Sequence, residues 1–214
     1  MIDAFIPYIV ILAAYSLGAI PFGIILTRLS GLQDIRKIGS GNIGATNVLR
    51  TGRKDLALMT LILDSAKGSV IILIVTHYFG RDLGILAGLA AFLGHLFPLY
   101  LGFKGGKGIA TGFGVLLALN PLLALMALAT WLIVALVFRL SSLAAFAAML
   151  ISLLFSLMVA FFSPEWIAKF TSLSSFDWKF NTILFTMVCI SLYKHRSNIT
   201  RLMRGNENKV HPQS

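Results

Sequence analysis

Charged residues are scarce in this sequence. Only 12% of its 214 residues are Asp, Glu, Lys or Arg, whereas soluble domains carry about a quarter. Long apolar stretches stand in their place, and 57% of the residues are hydrophobic. This balance argues against a soluble domain and predicts an all-α integral membrane protein.

Acidic residues and cysteines are scarcer still. Eight Asp and Glu face 18 Lys and Arg, which gives a formal net charge of +10. In a membrane protein, such an excess holds cytoplasmic loops against the membrane, so we expect no nucleic-acid partner. Cys189 is the only cysteine, which makes an internal disulfide impossible. The sequence contains no cluster of zinc or di-metal ligands, and we predict no cofactor.

The apolar stretches predict seven transmembrane helices. The run 109–138 would be about 45 Å long as one helix, against a hydrocarbon core of about 30 Å. Pro121 removes a helical hydrogen bond and biases Asn120 away from the helix, so we divide the run there. The predicted spans, within a single membrane domain 1–214, are 5–27, 56–79, 83–101, 109–119, 122–138, 143–162 and 180–193.

Charge sets the orientation of these spans. Seven crossings place 14 of the 18 Lys and Arg on one side, which the positive-inside rule assigns to the cytoplasm. The N-terminus is then outside and the C-terminus cytoplasmic. Segment 109–119 is shorter than a full crossing, so it either crosses incompletely or starts inside the bilayer. The external loop 163–179, which begins with Pro164-Glu165-Trp166, is expected along the interface.

Three polar stretches then share the cytoplasmic face, although they are far apart in the sequence. In the first, 39–50, three glycines alternate with small hydrogen-bonding side chains, and an arginine follows that can hold an anion through two parallel N–H bonds. A solvated glycine-rich loop is the alternative interpretation. The candidate ligand contacts are Ser40, Gly41, Asn42, Thr46, Asn47 and Arg50.

The second stretch, 103–108, has three glycines and two lysines. Glycine lets the backbone curl, and successive N–H groups form an anion-binding concavity. A helix beginning at 109 would point its positive end at the same place. A cytoplasmic turn with two positive-inside lysines is the alternative. A nucleoside triphosphate is not expected, because the GK[ST] ending of a P-loop is missing. The candidates are Lys104, Gly105, Gly106, Lys107 and Gly108.

The third stretch follows the last span. His195 and Asn198 are three residues apart, so on a helix they share a face and could bind a small polar ligand together. A basic tail on anionic lipid is the alternative. Within the spans, the spacing of Asp64 and Lys67 favours an intramembrane ion pair, and His95 is either a functional group or a packed neutral histidine.

Two glycine-rich anion sites and a His/Asn pair suit substrates with more than one phosphate. No serine triad is visible, and few carboxylates lie on this face. The chemistry therefore needs no protein nucleophile. Transfer from an already activated donor fits, because the catalyst must then orient its substrates and neutralise phosphate charge.

The stretches resemble the three signature motifs of the bacterial acyl-phosphate:glycerol-3-phosphate acyltransferases, in order and spacing over nearly the whole chain. Ser197 departs from the glutamate that is frequent in the family. The matching residues are Gly39-Ser40-Gly41-Asn42, Thr46-Asn47, Asp64, Lys67, Gly68, Gly94-His95, Phe97-Pro98, Phe103-Lys104-Gly105-Gly106-Lys107-Gly108, Ala110-Thr111, His195-Arg196, Asn198-Ile199, Arg201-Leu202, Gly205 and Glu207.

The resemblance implies a multi-pass enzyme of the bacterial cytoplasmic (inner) membrane, with seven helices and an active site facing the cytoplasm. Such an enzyme moves a fatty acyl group from acyl phosphate to the 1-hydroxyl of sn-glycerol 3-phosphate. The products are 1-acylglycerol 3-phosphate (lysophosphatidic acid) and phosphate, in the first acylation of phospholipid synthesis. The expected partners are both substrates, membrane lipid, an upstream acyl-phosphate synthase and a downstream lysophosphatidate acyltransferase.

The resemblance also implies a set of site residues. The catalytic ones are Ser40, Asn47, Lys104 and His195, and the substrate-binding ones are Gly41, Asn42, Thr46, Arg50, Gly105, Gly106, Lys107, Gly108 and Asn198. Within this set, the two lysines and the amides near Gly105 and Gly106 are expected to hold the acyl phosphate. Glycerol 3-phosphate is expected on the arginine and the His/Asn pair. The base is either His195 or a substrate phosphate, and the lack of a well-placed carboxylate favours the phosphate.

Two rival functions belong to other classes. A transporter of a phosphorylated small molecule could use the same polar stretches, although no inverted repeat is visible. His77 and Asp82 fit the HxxxxD pattern of soluble-type glycerolipid acyltransferases that use acyl-CoA. The predicted topology puts this pair on the outer face, away from all three stretches, so we expect it to have no catalytic use.

Overall fold

The computed structural model describes residues 4–162 and 178–209, and every regular element in that part of the chain is helical, as predicted. Residues 163–177 of the expected external loop lie outside the described residues. The helices are α1 (Ile6–Gly18), α2 (Phe22–Leu29), α3 (Ala45–Leu49), α4 (Lys54–Phe79), α5 (Arg81–Leu96), α6 (Ile109–Leu119), α7 (Pro121–Phe138), α8 (Ser141–Phe162), α9 (Trp178–Lys194) and α10 (Arg196–Met203), with 3-10 turns at Ile35–Lys37 and Leu99–Leu101.

Among the described residues, four helical segments are long and apolar enough to cross a membrane: α4, α5 with the turn after it, α7 and α8. The bent pair α1–α2 makes a fifth if it is counted as one span. The 11 residues of α6 reach only about 16 Å, roughly half of the hydrocarbon core. The protein is therefore a multi-pass membrane protein, and its seven crossings and its orientation remain predictions.

Proline decides where several helices break. The expected first span 5–27 is not one helix, because the chain bends by 41° between α1 and α2 at Pro21. The expected span 83–101 agrees with the candidate span Arg81–Leu101, although its helix α5 stops at Leu96 before Pro98 and a 3-10 turn completes the segment. The predicted break before Pro121 is confirmed, and the Asn120 side chain caps α7 by accepting a hydrogen bond of 2.9 Å from the backbone of Leu123.

Glycines bring α4 and α6 into close contact. A side chain at Gly68 of α4 would overlap the backbone of Thr111, and one at Gly114 of α6 would overlap the backbone of Ser65. Small residues let helix backbones approach within membranes, where dispersion contacts dominate helix association. This packing fixes the short helix α6, and therefore its N-terminal end, against the long helix α4.

Apolar side chains cover the outside of the helices as well as the inside. Leu12, Ile62, Leu136 and Phe161 are exposed on four different helices, which is expected of a surface that faces lipid. Inside, α7, α8 and α9 share a core that includes Leu123, Ala148 and Leu184.

Candidate active site

One cavity of about 740 Å³ brings the three polar stretches together. Its lining includes two chemically different groups of residues, which we call the polar end and the apolar part. The polar end is lined by Ser40, Asn42, Thr46, Asn47, Arg50, Lys107, Gly108, His195, Asn198 and Glu207. The apolar part is lined by Leu58, Leu61, Ile62, Phe113, Leu116, Leu117, Trp131, Leu132, Met149, Leu184, Met187 and Val188.

Asn47 organises the first polar stretch from inside. Its Nδ2 donates to the backbone oxygens of Ile35 (2.7 Å) and Asn42 (2.8 Å). Its Oδ1 accepts from the Ser40 amide at 3.1 Å and from an Arg50 guanidinium nitrogen at 3.4 Å. Only 1% of the surface of Asn47 is exposed. Its hydrogen bonds fix the conformation of the loop, and this conformation places Ser40, Asn42 and Arg50 at the cavity.

Gly39 is needed for this arrangement. Its φ of +54° lies in the left-handed region, where side chains are disfavoured. A Cβ at this position would also come within 2.7 Å of Asn47 Oδ1 and within 2.8 Å of Arg50 Cδ. The glycine therefore leaves room for the amide and guanidinium groups that shape the polar end.

The amides of Gly105 and Gly106, which were expected to hold the acyl phosphate, have hydrogen-bond partners within the protein. They donate to Leu96 O (3.2 Å) and His95 O (3.0 Å), the last carbonyls of α5, which have no partner within that helix. Both amides therefore close the C-terminal end of α5 and are not available to an anion. Gly106 packs on the His95 ring so closely that a side chain would overlap Nε2.

The amides that can bind an anion lie a few residues further on. Gly108, with φ of +85°, is the N-cap of α6, and the first N–H groups of that helix have no carbonyl partner within it. Gly108, Ile109 and Ala110 line the cavity together with Lys107. The helix N-terminus and the lysine therefore present partial and full positive charge to the same space.

A chain of hydrogen bonds joins Lys107 to the C-terminal tail. Lys107 Nζ donates to Asn198 Oδ1 at 2.5 Å, and Asn198 Nδ2 donates to Glu207 Oε1 at 2.6 Å. The other oxygen of Glu207 accepts from Arg201 Nε at 2.9 Å. Burial lowers the pKa of Lys107 to about 8, and the carboxylate of Glu207 opposes this shift. At neutral pH the lysine is still predominantly charged.

Ser191 provides another link between the second and third stretches. Its hydroxyl donates to the Lys107 carbonyl at 2.8 Å, and its own carbonyl lies 2.8 Å from His195 Nδ1. A carbonyl can only accept, so Nδ1 carries the proton and Nε2 of His195 keeps a lone pair. Burial lowers the pKa of His195 to about 4, which leaves the ring neutral at physiological pH.

A buried charged cluster also reaches the cavity, because Asp64 and His95 are among its lining residues. Lys67 Nζ is 2.8 Å from Asp64 Oδ1, which confirms the predicted intramembrane ion pair. The same nitrogen donates to Ile20 O and to His95 Nδ1, each at 2.9 Å. Because the ammonium group can only donate, His95 is neutral with its proton on Nε2, which faces Gly106. Through His95, the cluster packs against Gly106 of the 103–108 stretch.

Four candidates from the sequence do not line the main cavity, and one of them, Gly106, is buried against the His95 ring. Lys104 is exposed, and with Gly41 and Gly105 it lines a separate depression instead. The two residues of the HxxxxD pair also line neither cavity. His77 and Asp82 are exposed, and Asp82 forms an ion pair with Lys179.

Glu207 and Ser191 are among the cavity-lining residues that are absent from the predicted set. Glu207 belongs to the third motif, but no local signal in the sequence shows that its side chain is 3% exposed and hydrogen-bonded to Asn198. Ser191 stands within an apolar helix, four residues before His195. A polar residue one turn from a candidate is the signal that could have found it.

The chain is similar to known proteins over most of its length. The family model for glycerol-3-phosphate acyltransferase matches residues 8–205. Curated glycerol-3-phosphate acyltransferases from Mesorhizobium japonicum and Paramagnetospirillum magneticum are 50% and 48% identical to the chain. The alignments cover 92% and 93% of this chain and 92% and 91% of the relatives.

A solved structure is similar over nearly its whole length. The crystal structure of PlsY, an integral membrane glycerol 3-phosphate acyltransferase, in its glycerol 3-phosphate form, superposes with a TM-score of 0.81 at 36% identity. The match covers 95% of this chain and 94% of that one. The lysophosphatidic acid form of PlsY gives a TM-score of 0.79. The chain described here belongs to the glycerol-3-phosphate acyltransferase family.

Proposed function

We propose that the protein transfers a fatty acyl group from acyl phosphate to the 1-hydroxyl of sn-glycerol 3-phosphate, giving 1-acylglycerol 3-phosphate and inorganic phosphate. The single observation that carries the proposal is the continuity of the cavity. A cationic polar end, suited to phosphates, opens into an apolar part lined by leucines and aromatic side chains, suited to an acyl chain.

Two anionic groups must be held at the polar end at once. Lys107 and the first amides of α6 form one positive surface, and we assign the phosphate of the donor to it. Arg50, which reaches the cavity beside Ser40, forms the second, and we assign glycerol 3-phosphate to it together with Asn198. The acyl carbonyl then lies between the two surfaces, where the polar end meets the apolar part.

The transfer needs no protein nucleophile. The 1-hydroxyl oxygen attacks the acyl carbonyl carbon and forms the new ester bond. The bond between the carbonyl carbon and the phosphate oxygen breaks, and the phosphate leaves with the electron pair. Lys107 and the α6 amides stabilise the charge on the leaving group, and the fixed orientation of the two substrates supplies much of the rate.

A substrate phosphate accepts the hydroxyl proton in this proposal. His195 offers a lone pair at Nε2, but its pKa of about 4 makes it a weak base near pH 7. A phosphate monoester, with a second pKa of about 6, is the stronger base and is already in the site. His195 therefore accepts a hydrogen bond and orients the hydroxyl.

The proposal extends to the cell. The active site would face the cytoplasm of a bacterial inner membrane, because the basic loops that form it would lie on the positive-inside surface. An acyl-phosphate synthase would supply the donor, and a lysophosphatidate acyltransferase would use the product. Family membership favours this reaction over the transporter hypothesis, which no feature of the described residues supports independently.

The test measures phosphate release from synthetic palmitoyl phosphate by the purified protein, with and without glycerol 3-phosphate, and with palmitoyl-CoA as the control donor. We expect release that depends on glycerol 3-phosphate and no transfer from the CoA ester. Arg50→Gln should raise KM for glycerol 3-phosphate, whereas Arg204→Gln, which removes an exposed arginine, should not. Transfer from palmitoyl-CoA alone would overturn the donor assignment.

A further inference from the structure

A second depression of about 500 Å³ lies beside the active site and shares no lining residue with the main cavity. Three parts of the chain surround it: the 3-10 turn Ile35–Lys37 with the loop that follows, the segment after α5, and the junction of α9 and α10. Its lining residues are Arg36, Gly41, Phe97, Leu101, Phe103, Lys104, Gly105, Tyr193, Lys194 and Arg196.

The lining is strongly basic. It includes four cationic side chains and, among the residues that the structure describes, no carboxylate. Arg36 is neutralised by Asp34, whose carboxylate lies 3.0 Å from its Nε. Lys194 Nζ donates to Leu96 O at 2.9 Å, and Arg196 donates to Tyr193 O at 3.3 Å. A carbonyl group does not neutralise the charge of the side chain that donates to it. Lys104, Lys194 and Arg196 are therefore three uncompensated cations around the depression.

Aromatic rings form the floor and rim of the same depression. Lys194 Nζ lies 4.8 Å from the centroid of the Phe97 ring, and the Arg196 guanidinium lies 4.7 Å from that of Tyr193. Of the rings that line the depression, Phe103 and Tyr193 are 60% and 61% exposed. Exposed aromatic side chains next to basic ones are typical of the membrane–water interface.

We propose that this depression binds the phosphate of an anionic membrane phospholipid. The cations match a phosphate, and the exposed aromatic rim matches the glycerol and first acyl carbons that follow it in a lipid. A free phosphate would leave that rim in water. The bound headgroup would hold both segments that supply the active site, because Lys104 precedes Lys107 by three residues and Lys194 and Arg196 flank His195.

The test is lipid binding by the full-length protein in detergent. Native mass spectrometry counts bound phosphatidylglycerol across a titration, with phosphatidylcholine as the neutral comparison. Three variants are compared with the wild type: Lys104→Gln/Arg196→Gln at the depression, Lys107→Gln in the active site, and Lys37→Gln/Arg204→Gln, which removes two exposed charges that line neither cavity. Circular dichroism and a single elution peak establish that each variant is folded.

We expect the half-saturating concentration of phosphatidylglycerol to rise about tenfold in the Lys104→Gln/Arg196→Gln variant and to change less than about twofold in the others. If that variant does not fold, Arg196→Gln alone should give about a threefold rise. An equal loss in all three variants would mean diffuse charge attraction, and a loss only in Lys107→Gln would move the lipid to the active site. Displacement by an equal concentration of inorganic phosphate would replace the lipid with a free phosphate. Each of these three outcomes overturns the proposal.

Discussion

Lys107 and Asn198 are separated by 91 residues in the chain, and yet the lysine ammonium donates a hydrogen bond of 2.5 Å to the asparagine Oδ1. The contact joins the second polar stretch to the third. Two further hydrogen bonds support it: Glu207 accepts from the Asn198 side-chain amide, and the Ser191 hydroxyl donates to the Lys107 carbonyl. The lysine is therefore fixed at both its backbone and its side chain.

The charge of Lys107 predicts the alkaline limit of activity. Because burial lowers its pKa to about 8, the ammonium loses its proton as pH rises through about 8, well below the normal range of a lysine. We expect kcat/KM for the acyl phosphate, which reports the free enzyme, to fall about tenfold per pH unit above that value.

Lys107→Arg is the matched control, since an arginine stays charged throughout this range. Its kcat/KM should be lower, because the guanidinium has a different shape, but it should stay flat to higher pH. Both substrate phosphates are already doubly ionised above about pH 7.5, so their titration does not cause the fall in kcat/KM at alkaline pH. If kcat/KM of Lys107→Arg falls at the same pH as that of the wild type, the titrating group is not Lys107.

His195→Gln tests whether the histidine is the base. Glutamine can still donate to the Ser191 carbonyl and place a polar group near the hydroxyl, but it cannot accept a proton. If His195 only orients, we expect kcat to fall by about tenfold, the value of one hydrogen bond. Loss of a general base would cost about 10²–10⁴-fold. A loss in that range, in protein with wild-type KM values, would restore His195 as the base.

Glu207→Gln should weaken both binding and stability. The side chain is 3% exposed and accepts from Asn198 and from Arg201. Gln would turn an NH₂ group towards one of these donors, which leaves buried donors unpaired at a cost of about 1–3 kcal/mol. We expect a lower thermal midpoint in detergent and a kcat/KM reduced at least about tenfold. Asn206→Ala, at the exposed neighbouring residue, is the control. A variant with wild-type values for both would mean that the carboxylate is dispensable.

Two glycines of α6 should respond in opposite ways to the same change. In Gly114→Ala the methyl group would meet the Ser65 backbone, which cannot move aside, so α6 must shift from α4. Overpacking of this kind costs about 1–3 kcal/mol. In Gly112→Ala the nearest atoms, on Phe92 and Met187, lie at 3.5 and 3.6 Å, which is ordinary contact.

We therefore expect Gly114→Ala to lower the thermal midpoint and to reduce activity, because the α6 amides move with the helix. Gly112→Ala should equal or exceed the stability of the wild type, since alanine favours helix. Equal behaviour of the two variants would contradict the close packing of α4 and α6.

Asp82→Asn should leave activity unchanged. Asp82 is exposed, pairs with Lys179 and lines neither cavity. Acyl transfer from palmitoyl phosphate measures this directly, and His77→Ala is its companion. A large loss in either variant would support the HxxxxD reaction and contradict the active site described here.

Some features follow from particular residues and their neighbours in the chain. Pro121 after Asn120 predicts the break between α6 and α7, because proline cannot extend a helix from its own amide. The three-residue spacing puts Asp64 beside Lys67, and likewise His195 and Asn198 on one side of the cavity. By the same argument, Pro21 predicts a helix break within the first span. Hydropathy nevertheless predicts one continuous helix for the first span, and this prediction is wrong because the chain bends at the proline.

The sequence by itself determined the class of protein, most of the long apolar helices and the residue types of the site, because hydropathy, proline positions and short spacings act locally along the chain. Tertiary structure alone decided which amides and which lysine face the cavity. Gly105 and Gly106 use their amides at the end of α5, and Lys104 lines the neighbouring depression, although it is only three residues from Lys107. Such choices depend on carbonyls and side chains brought in from distant segments, and no local pattern records them.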